Sequence, residues 1–399
     1  MHSLYNLLIK SAEKLLPITE SFSEKMKLFL EGRKDVFAVL EQKISAEDKT
    51  IWFHAASLGE YEQALPVILK VKQLFPKHKV VLSFFSPSGY EVKKDSDVVD
   101  VVVYLPLDTL ENAQRFLELV HPDWALFIKY EFWPNFLKEL KRRKIGTLLI
   151  SGAFRKDQAF FKPYGKWMRS YLQAFQFFFL QNESSQQLLM SLGYDNSAVS
   201  GDTRFDRVSK QLEQDNRLDF IEKFKNDSIC IVAGSSWPEG EALLTKYINE
   251  SPENVKFIIA PHTMKAARIA ALKEQIEGKS ILFSEKEGEN LAEYQVFIVD
   301  TIGLLGRIYS YADIAYVGGA VGTTGLHNIL EPATFGVPVI TGKNIARFPE
   351  AVELQTLKGL FTVTSFEDLK RLLDKLIENA DFRKKTGEIS AEFISSNTG

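Results

Sequence analysis

The stretch Ile51-Trp52-Phe53-His54-Ala55-Ala56-Ser57-Leu58-Gly59-Glu60, continued by YEQALPVILKVKQLF over residues 61–75, decides how the chain is read. Ile51–Ala56 is a nearly continuous apolar and aromatic run, the pattern of a strand buried on both faces. Ser57 and Gly59 then make a small-residue turn, and Glu60–Phe75 carries apolar residues at helical spacing. The same strand–turn–helix unit recurs outward from this point. In the first half the runs Val80–Phe85, Val99–Leu105, Trp124–Ile128, Thr147–Ser151 and Phe175–Leu180 follow, with Leu110–Val120 among the helical stretches. In the second half the runs are Ile229–Ala233, Lys256–Ala260, Ile281–Phe283, Val296–Val299, Ile314–Val317 and Val337–Ile340. Alternation of this kind predicts doubly wound α/β architecture, twice over.

The 399-residue length agrees, since domains cluster near ~100–200 residues. Residues 206–228 are polar and charged and lack a strand run, so the join is placed there. The expected organisation is an amphipathic helical segment over 1–48, a Rossmann-like domain over 49–206, a linker or helix over 207–228, and a second Rossmann-like domain over 229–399. The last helix is a candidate to pack back on the N-terminal domain. Two such domains facing across a cleft would hold a ligand at the C-terminal ends of their strands.

A formal net charge of −3 argues against a protein that wraps nucleic acid by bulk electrostatics. The single cysteine, Cys230, removes any intrachain disulfide framework and any multi-cysteine zinc site. G-x-G-x-x-G, G-x-x-x-x-G-K-[ST], H-E-x-x-H and G-x-S-x-G are all missing, which disfavours nicotinamide, P-loop, zincin and hydrolase-elbow chemistry. Asp95-Ser96-Asp97 reads as a solvated turn among lysines rather than a metal-binding pair.

Near the N-terminus, Leu4, Leu7, Leu8, Leu15 and Leu16 recur at helical spacing, and Phe22, Met26, Phe29 and Leu30 continue after Pro17. Lys10, Lys14, Lys25, Lys27, Arg33 and Lys34 supply cations. No apolar run is long enough to span a bilayer, and no secretory signal is read. Two readings stand: a helix packed on the protein's own body, or an interfacial membrane contact.

Two segments carry the chemistry. Gly318-Gly319-Ala320-Val321-Gly322-Thr323-Thr324-Gly325-Leu326-His327-Asn328-Ile329-Leu330-Glu331-Pro332-Ala333 follows a strand directly. Helical pattern resumes near Asn328, so a helix N-terminus is expected there as an anion site. Glu331, about one turn inside, can accept from two vicinal ribose hydroxyls, and His327 can donate to a phosphate oxygen. The alternative is a loop that only packs. The matching N-terminal segment is His54-Ala55-Ala56-Ser57-Leu58-Gly59-Glu60, where Ser57 or Gly59 caps a helix. Glu60 in its first turn suits a general base, provided that partial desolvation offsets the helix dipole. The alternative is a capping carboxylate.

Four further segments sit at strand tips. Glu131-Phe132-Trp133-Pro134-Asn135 presents a carboxylate, and Pro261-His262 follows Ala260. Gly234-Ser235-Ser236 offers backbone donors to phosphate, and Asp300-Thr301-Ile302-Gly303 offers backbone groups to a nucleobase. Each also reads as an ordinary turn or helix start. From Phe154 to Phe175, Arg155, Lys156, Lys162, Lys166 and Arg169 alternate with Phe160, Phe161, Tyr164, Trp167 and Tyr171. This suits the headgroup of an anionic amphiphile or a buried helix with snorkelling cations, rather than nucleic acid.

Taken together, HAASLGE, EFWPN, DTIG and GLHNILEPA, in this order and spacing, resemble the 3-deoxy-D-manno-octulosonic acid (Kdo) transferases of lipopolysaccharide assembly. The resemblance runs from Gly32-Arg33-Lys34 to beyond Phe348-Pro349-Glu350. It implies a GT-B fold, CMP-Kdo as donor substrate, a lipid A precursor (lipid IVA) as acceptor, and inversion without an essential metal or other cofactor. It implies peripheral contact at the cytoplasmic face of the bacterial inner membrane. Glu60 falls on the family's proposed base, Glu131 on its acidic E-x-W-P-N residue, and His327, Asn328 and Glu331 on its donor-nucleotide motif. Ala320 stands for a common Ser, Leu326 for a Gly, Leu304 for a Glu and Arg204 for a Lys. The expected acceptor contacts are Ser57, Gly59, Glu131 and Arg155. The expected donor contacts are Gly234, Ser235, Ser236, Pro261, His262, Thr301, Ile302, Gly303, Gly325, His327, Asn328 and Glu331. Another GT-B transferase or epimerase that uses a UDP-sugar is the second reading. A non-catalytic two-domain binding protein is the third.

Overall fold

The computed structural model describes residues 2–16 and 23–399. The expectations attached to Pro17, Phe22 and the Lys25 side chain lie outside the described residues. The chain forms two compact units, Met1–Arg207 with Gly399, and Val208–Thr398.

Each unit is built on one seven-stranded parallel sheet. In the first, β1 (Lys49–Ala55), β2 (His78–Phe84), β3 (Val101–Tyr104), β4 (Trp124–Ile128), β5 (Gly146–Gly152), β6 (Phe177–Leu180) and β7 (Ser197–Val199) lie in the order β3-β2-β1-β4-β5-β6-β7. In the second, β8 (Ile229–Ser236), β9 (Val255–Pro261), β10 (Ser280–Leu282), β11 (Val296–Ile298), β12 (Ile314–Val317), β13 (Val339–Gly342) and β14 (Leu360–Val363) lie in the order β10-β11-β9-β8-β12-β13-β14. Both faces of each sheet are covered. In β1, for example, Trp52 packs with Phe116, Phe127 and Phe136 on one side, while Ile51 and Phe53 pack with Leu82, Phe84 and Ile128 on the other. That is why the strands read as continuous apolar runs rather than alternating ones.

The expected strands form with small shifts at their ends. Two more, β7 and β14, join the sheet edges. Their three and four residues give almost no periodic signal, and β7 is not buried. Of the expected linker 207–228, Arg207 closes the N-terminal unit and residues 208–228 belong to the C-terminal unit. Their helix Asp219–Lys225 buries Ile221 and Phe224 in its core, and Tyr311 Oη accepts the Leu218 N–H at 2.6 Å. The last helix, Ala380–Ser395, packs within this unit, with Ser390 Oγ donating to Gly359 O at 3.3 Å.

The N-terminal helix His2–Leu15 docks through its polar side. Tyr5 Oη donates to Asp108 at 2.7 Å, Asn6 accepts from Asn135 at 2.9 Å, and Tyr171 Oη meets His2 Nδ1 at 2.5 Å. Leu4, Leu7, Leu8 and Leu15 point outward, 54–63% exposed. The helix therefore packs on its own body through polar side chains and leaves its leucines exposed. Arg33, read as a surface cation, is instead withdrawn. Its guanidinium donates to the carbonyls of Phe29, Phe85 and Leu105 at 2.6–2.9 Å and stacks on Phe29. In the basic-aromatic stretch, Phe154 and Phe160 are core residues, and Arg169 donates to the Phe160 and Lys162 carbonyls. Among the described residues no helix is long and apolar enough to cross a membrane.

Candidate functional site

In both sheets the strand order reverses once, between β1 and β4 and between β8 and β12. A crevice opens outside the strand C-termini at such a switch, because the following helices pass to opposite faces. Glu60 and Glu131 lie at the first switch, and Ser235, Gly325 and His327 lie at the second, whereas Arg155 follows β5 and Thr301 follows β11.

In the N-terminal unit, the helix Leu58–Leu74 begins right after β1. Ser57 occupies its N-cap position with extended backbone but makes no side-chain cap to a backbone N–H. Its hydroxyl donates to the Glu60 carboxylate instead. A carboxylate is a stronger acceptor for a hydroxyl proton than a neutral group, and Ser57 holds Glu60 rather than capping the helix. Gly59 lies inside the helix. Glu60 is 9% exposed and sits in the first turn, at the positive end of the dipole.

Glu131 lies in the loop between β4 and the helix Pro134–Arg143. Trp133 Nε1 sits 3.0 Å from its Oε2, and His54 Nε2 sits 3.3 Å from the same oxygen. His54 comes from β1 and is completely buried. Its tautomer follows from its neighbours. Ser83 Oγ accepts the Trp52 indole N–H at 2.8 Å and faces His54 Nδ1 at 2.9 Å. The Trp133 indole N–H, which can only donate, also lies 3.0 Å from His54 Nε2, and the Ser83 carbonyl lies 3.2 Å from Nδ1, so these neighbours fit a bare Nε2 with the proton on Nδ1. The Trp133 N–H is thus shared between His54 Nε2 and one Glu131 oxygen. Sequence reading placed Glu131 at the strand tip but gave His54, Ser83 and Trp133 no role. The signal available was a histidine inside an apolar strand, which demands a partner when buried.

Behind this loop lies Asp108, also absent from the sequence reading. It accepts the backbone N–H groups of Asn135 and Phe136 at 3.1–3.2 Å and the Tyr5 hydroxyl. It thereby caps the helix Pro134–Arg143, whose N-cap residue, Trp133, makes no side-chain cap. Burial pushes its carboxyl up to about 7, against the opposing hydrogen bonds from Tyr5, Asn135 and Phe136. Arg155 is 61% exposed, 3.6 Å from Asp157. It and Lys129 flank the Tyr130 ring, at 5.6 and 5.2 Å from its centroid.

In the C-terminal unit, Gly234, Ser235, Ser236 and Trp237 lead from β8 into the helix Pro238–Glu250. The Ser236 hydroxyl is buried and donates to Glu241 at 2.8 Å, and Arg268 bonds the other Glu241 oxygen. The Ser236 side chain is therefore committed to Glu241, and the expectation for this turn concerns its backbone donors. The Ser236 carbonyl accepts the His262 N–H at 3.0 Å, next to Pro261 at the end of β9. The glycine segment after β12 packs on this loop. A Cβ on Gly318 would lie 2.0 Å from Ser235 O, and Gly319, at φ +95°, lies equally close to Gly325 O. These glycines are required by close backbone approach.

The helix expected near Asn328 forms but is short. The helix is one turn, Leu330–Ala333, and the long helix at this sheet end starts at Pro238. The turn goes no further because Gly336 reverses the chain at φ +69°. A single turn carries little aligned dipole, so the anion site expected at Asn328 lacks that support. Glu331 is its second residue rather than one turn inside. Asn328 accepts the Leu330 N–H at 3.2 Å and donates to the Glu331 carboxylate at 3.3 Å, fixing it.

His327 joins a stack of three rings. Its Nε2 lies 3.0 Å from Trp237 Nε1, and the His262 ring lies 4.4 Å from Trp237 and 4.6 Å from His327. Burial, followed by the neighbouring His262, pushes the His327 imidazole down to about 4. Trp237 was not anticipated. Thr301, Ile302 and Gly303 follow β11, which β9 separates from β8. Ile302 is 82% exposed and Gly303 has φ +89°. No hydrogen bond ties these three to the ring stack among the described residues. Asp300 instead holds the Ser284 N–H and hydroxyl at 3.0 and 2.5 Å.

Residues 23–207 match the family described as 3-deoxy-D-manno-octulosonic-acid transferase (kdotransferase). The chain is 29% identical over 367 residues to a 3-deoxy-D-manno-octulosonic acid transferase of Haemophilus influenzae, covering 88% of this chain and 84% of that one. It is 28% identical over 408 residues to a bifunctional glycosyltransferase/methyltransferase of Fusobacterium nucleatum, covering 99% of this chain but only 61% of that longer protein. The fold is shared with a UDP-GlcNAc 2-epimerase from Neisseria meningitidis, with TM-score 0.62 and 16% identity over 87% of this chain and 96% of that one. This likeness concerns the GT-B-type fold alone. A family match in the N-terminal unit, with a transferase relative that aligns along both units, leads to one conclusion: the chain is similar to the 3-deoxy-D-manno-octulosonic acid transferases over most of its length.

Proposed function

We propose that the protein transfers Kdo from CMP-Kdo to a lipid A precursor, lipid IVA, by an inverting, metal-independent displacement. The observation that carries this reading is Glu60. It is a buried carboxylate held by Ser57 in the first helical turn at the switch point of the N-terminal sheet. The acceptor hydroxyl attacks C2 of Kdo, its proton passes to Glu60, and the C2–O bond breaks with its electron pair leaving on the CMP phosphate. Ser57, Gly59, Glu131 and Arg155 are proposed to receive the acceptor, Arg155 pairing with its anionic headgroup.

The C-terminal unit is proposed to hold the donor. Glu331, fixed by Asn328, takes the ribose hydroxyls, and His327 donates to the phosphate. Backbone groups around Gly234, Ser235, Ser236, Pro261, His262 and Gly325 line the site, and Thr301, Ile302 and Gly303 meet the base. Backbone donors take the charge that builds on the departing CMP, so the proposed step needs no metal or other cofactor.

Contact with the cytoplasmic face of the inner membrane is proposed for the helix His2–Leu15. Its outward leucines and Lys14 suit an anionic bilayer surface.

Incubating the purified protein with CMP-Kdo and tetra-acylated lipid A precursor in excess chelator tests the whole reading. Mass spectrometry should show added Kdo. Parallel titrations with CMP and UDP separate this reading from a UDP-sugar enzyme. Addition that occurs only after metal is restored overturns metal independence, and tighter binding of UDP than of CMP overturns the donor.

A further inference from the structure

We propose that Trp237 is a positioning residue that locks His327 as the Nδ1–H tautomer, so that His327 presents one fixed, uncharged donor to a phosphate oxygen of the sugar nucleotide. This deepens, and rests on, the reading of the loop after β12 as the donor site.

The argument begins with what an indole can do. Trp237 Nε1–H donates and cannot accept. It lies 3.0 Å from His327 Nε2, so that nitrogen must offer a lone pair. An imidazole with a bare Nε2 is neutral and carries its proton on Nδ1. Burial favours the neutral ring as well. Nδ1 has no hydrogen-bond partner among the described residues, yet it is not among the buried, unpartnered side-chain atoms. An N–H there remains open to a ligand.

The indole itself is held. The His262 ring stacks on it at 4.4 Å with 22° between planes, and the His262 backbone N–H is anchored on Ser236 O. The His327 backbone is anchored in turn, its N–H donating to Gly318 O at 3.2 Å. The three rings thus come from the ends of the three central strands, β9, β8 and β12. Each is fixed by main-chain bonds, so the tautomer is dictated by rigid elements. Without the indole N–H, His327 is free to carry its proton on Nε2. Nδ1 would then aim a lone pair at the phosphate.

Nitrogen-15 spectra of histidine-labelled protein read the tautomer directly, and CMP titration reads the consequence. Wild type should show His327 with Nδ1–H and a bare Nε2. Trp237→Phe keeps an aromatic ring but removes the N–H. It should give a mixture of tautomers and bind CMP roughly tenfold more weakly, the scale of one hydrogen bond. In a His327→Asn background, where an amide N–H donates in any case, Trp237→Phe should cause no further loss. An unchanged tautomer in Trp237→Phe overturns the proposal, as does an equal loss of CMP affinity in both backgrounds. If His327→Ala binds CMP as wild type does, His327 does not touch the donor. The donor-site reading then falls, while the nitrogen spectra still decide whether Trp237 sets the ring.

Discussion

His54 and Glu131, 77 residues apart in sequence, meet at 3.3 Å between Nε2 and Oε2. The histidine belongs to the central strand and the glutamate to the loop after its neighbour. The Trp133 N–H shared between them holds a carboxylate at the switch point of the N-terminal sheet.

Glu131→Ala should remove one of the two acceptors shared by the Trp133 N–H in a part-buried setting. The expected loss of stability is about 0.5–1.5 kcal/mol. Glu131→Gln, which keeps an acceptor oxygen, should lose less. Urea unfolding of the three proteins checks this, and an alanine variant as stable as wild type would remove the network from the account.

Glu60→Gln should cut turnover by roughly 10²–10⁴-fold while CMP binding stays near wild type. Single-turnover transfer and CMP titration measure the two separately. Full turnover in this variant ends the base assignment.

Asp108 gives a pH signature. Its folded pKa is raised to about 7, above the unfolded value near ~3.9. Between these values the native state binds more protons than the unfolded state, so the Asp108 contribution falls as pH rises. It is fully present below about pH 4 and lost by passage through about pH 7. Asp108→Asn should flatten this part of the stability profile. Matching slopes for variant and wild type over pH 4–7 would contradict it.

The outward face of the helix His2–Leu15 makes a separate prediction. Replacing Leu4, Leu7 and Leu8 by Ser should weaken binding to anionic phospholipid vesicles by about a hundredfold, at ~1 kcal/mol per partly inserted side chain. CMP binding should not change. Co-sedimentation that is indifferent to the substitutions would place the membrane contact elsewhere.

The sequence by itself determined the two doubly wound units and the strand tips that carry Glu60, Glu131, His327 and Glu331. Strand and helix periodicities are local, and a buried parallel strand advertises itself as a continuous apolar run. It also showed the leucine spacing of the N-terminal helix. It could not show that Tyr5 and Asn6 dock the helix while those leucines face outward, because which face is covered depends on residues far along the chain. Asp108 beneath the Asn135 turn, Ser57 turned onto Glu60, Ser236 turned onto Glu241, and the Trp237–His262–His327 stack were likewise decided only by tertiary structure. Most of these partners are tens of residues apart, 103 for Tyr5 and Asp108 and 90 for Trp237 and His327. Hydrogen-bond direction and burial are properties of the assembled neighbourhood, which no local pattern of residue types encodes.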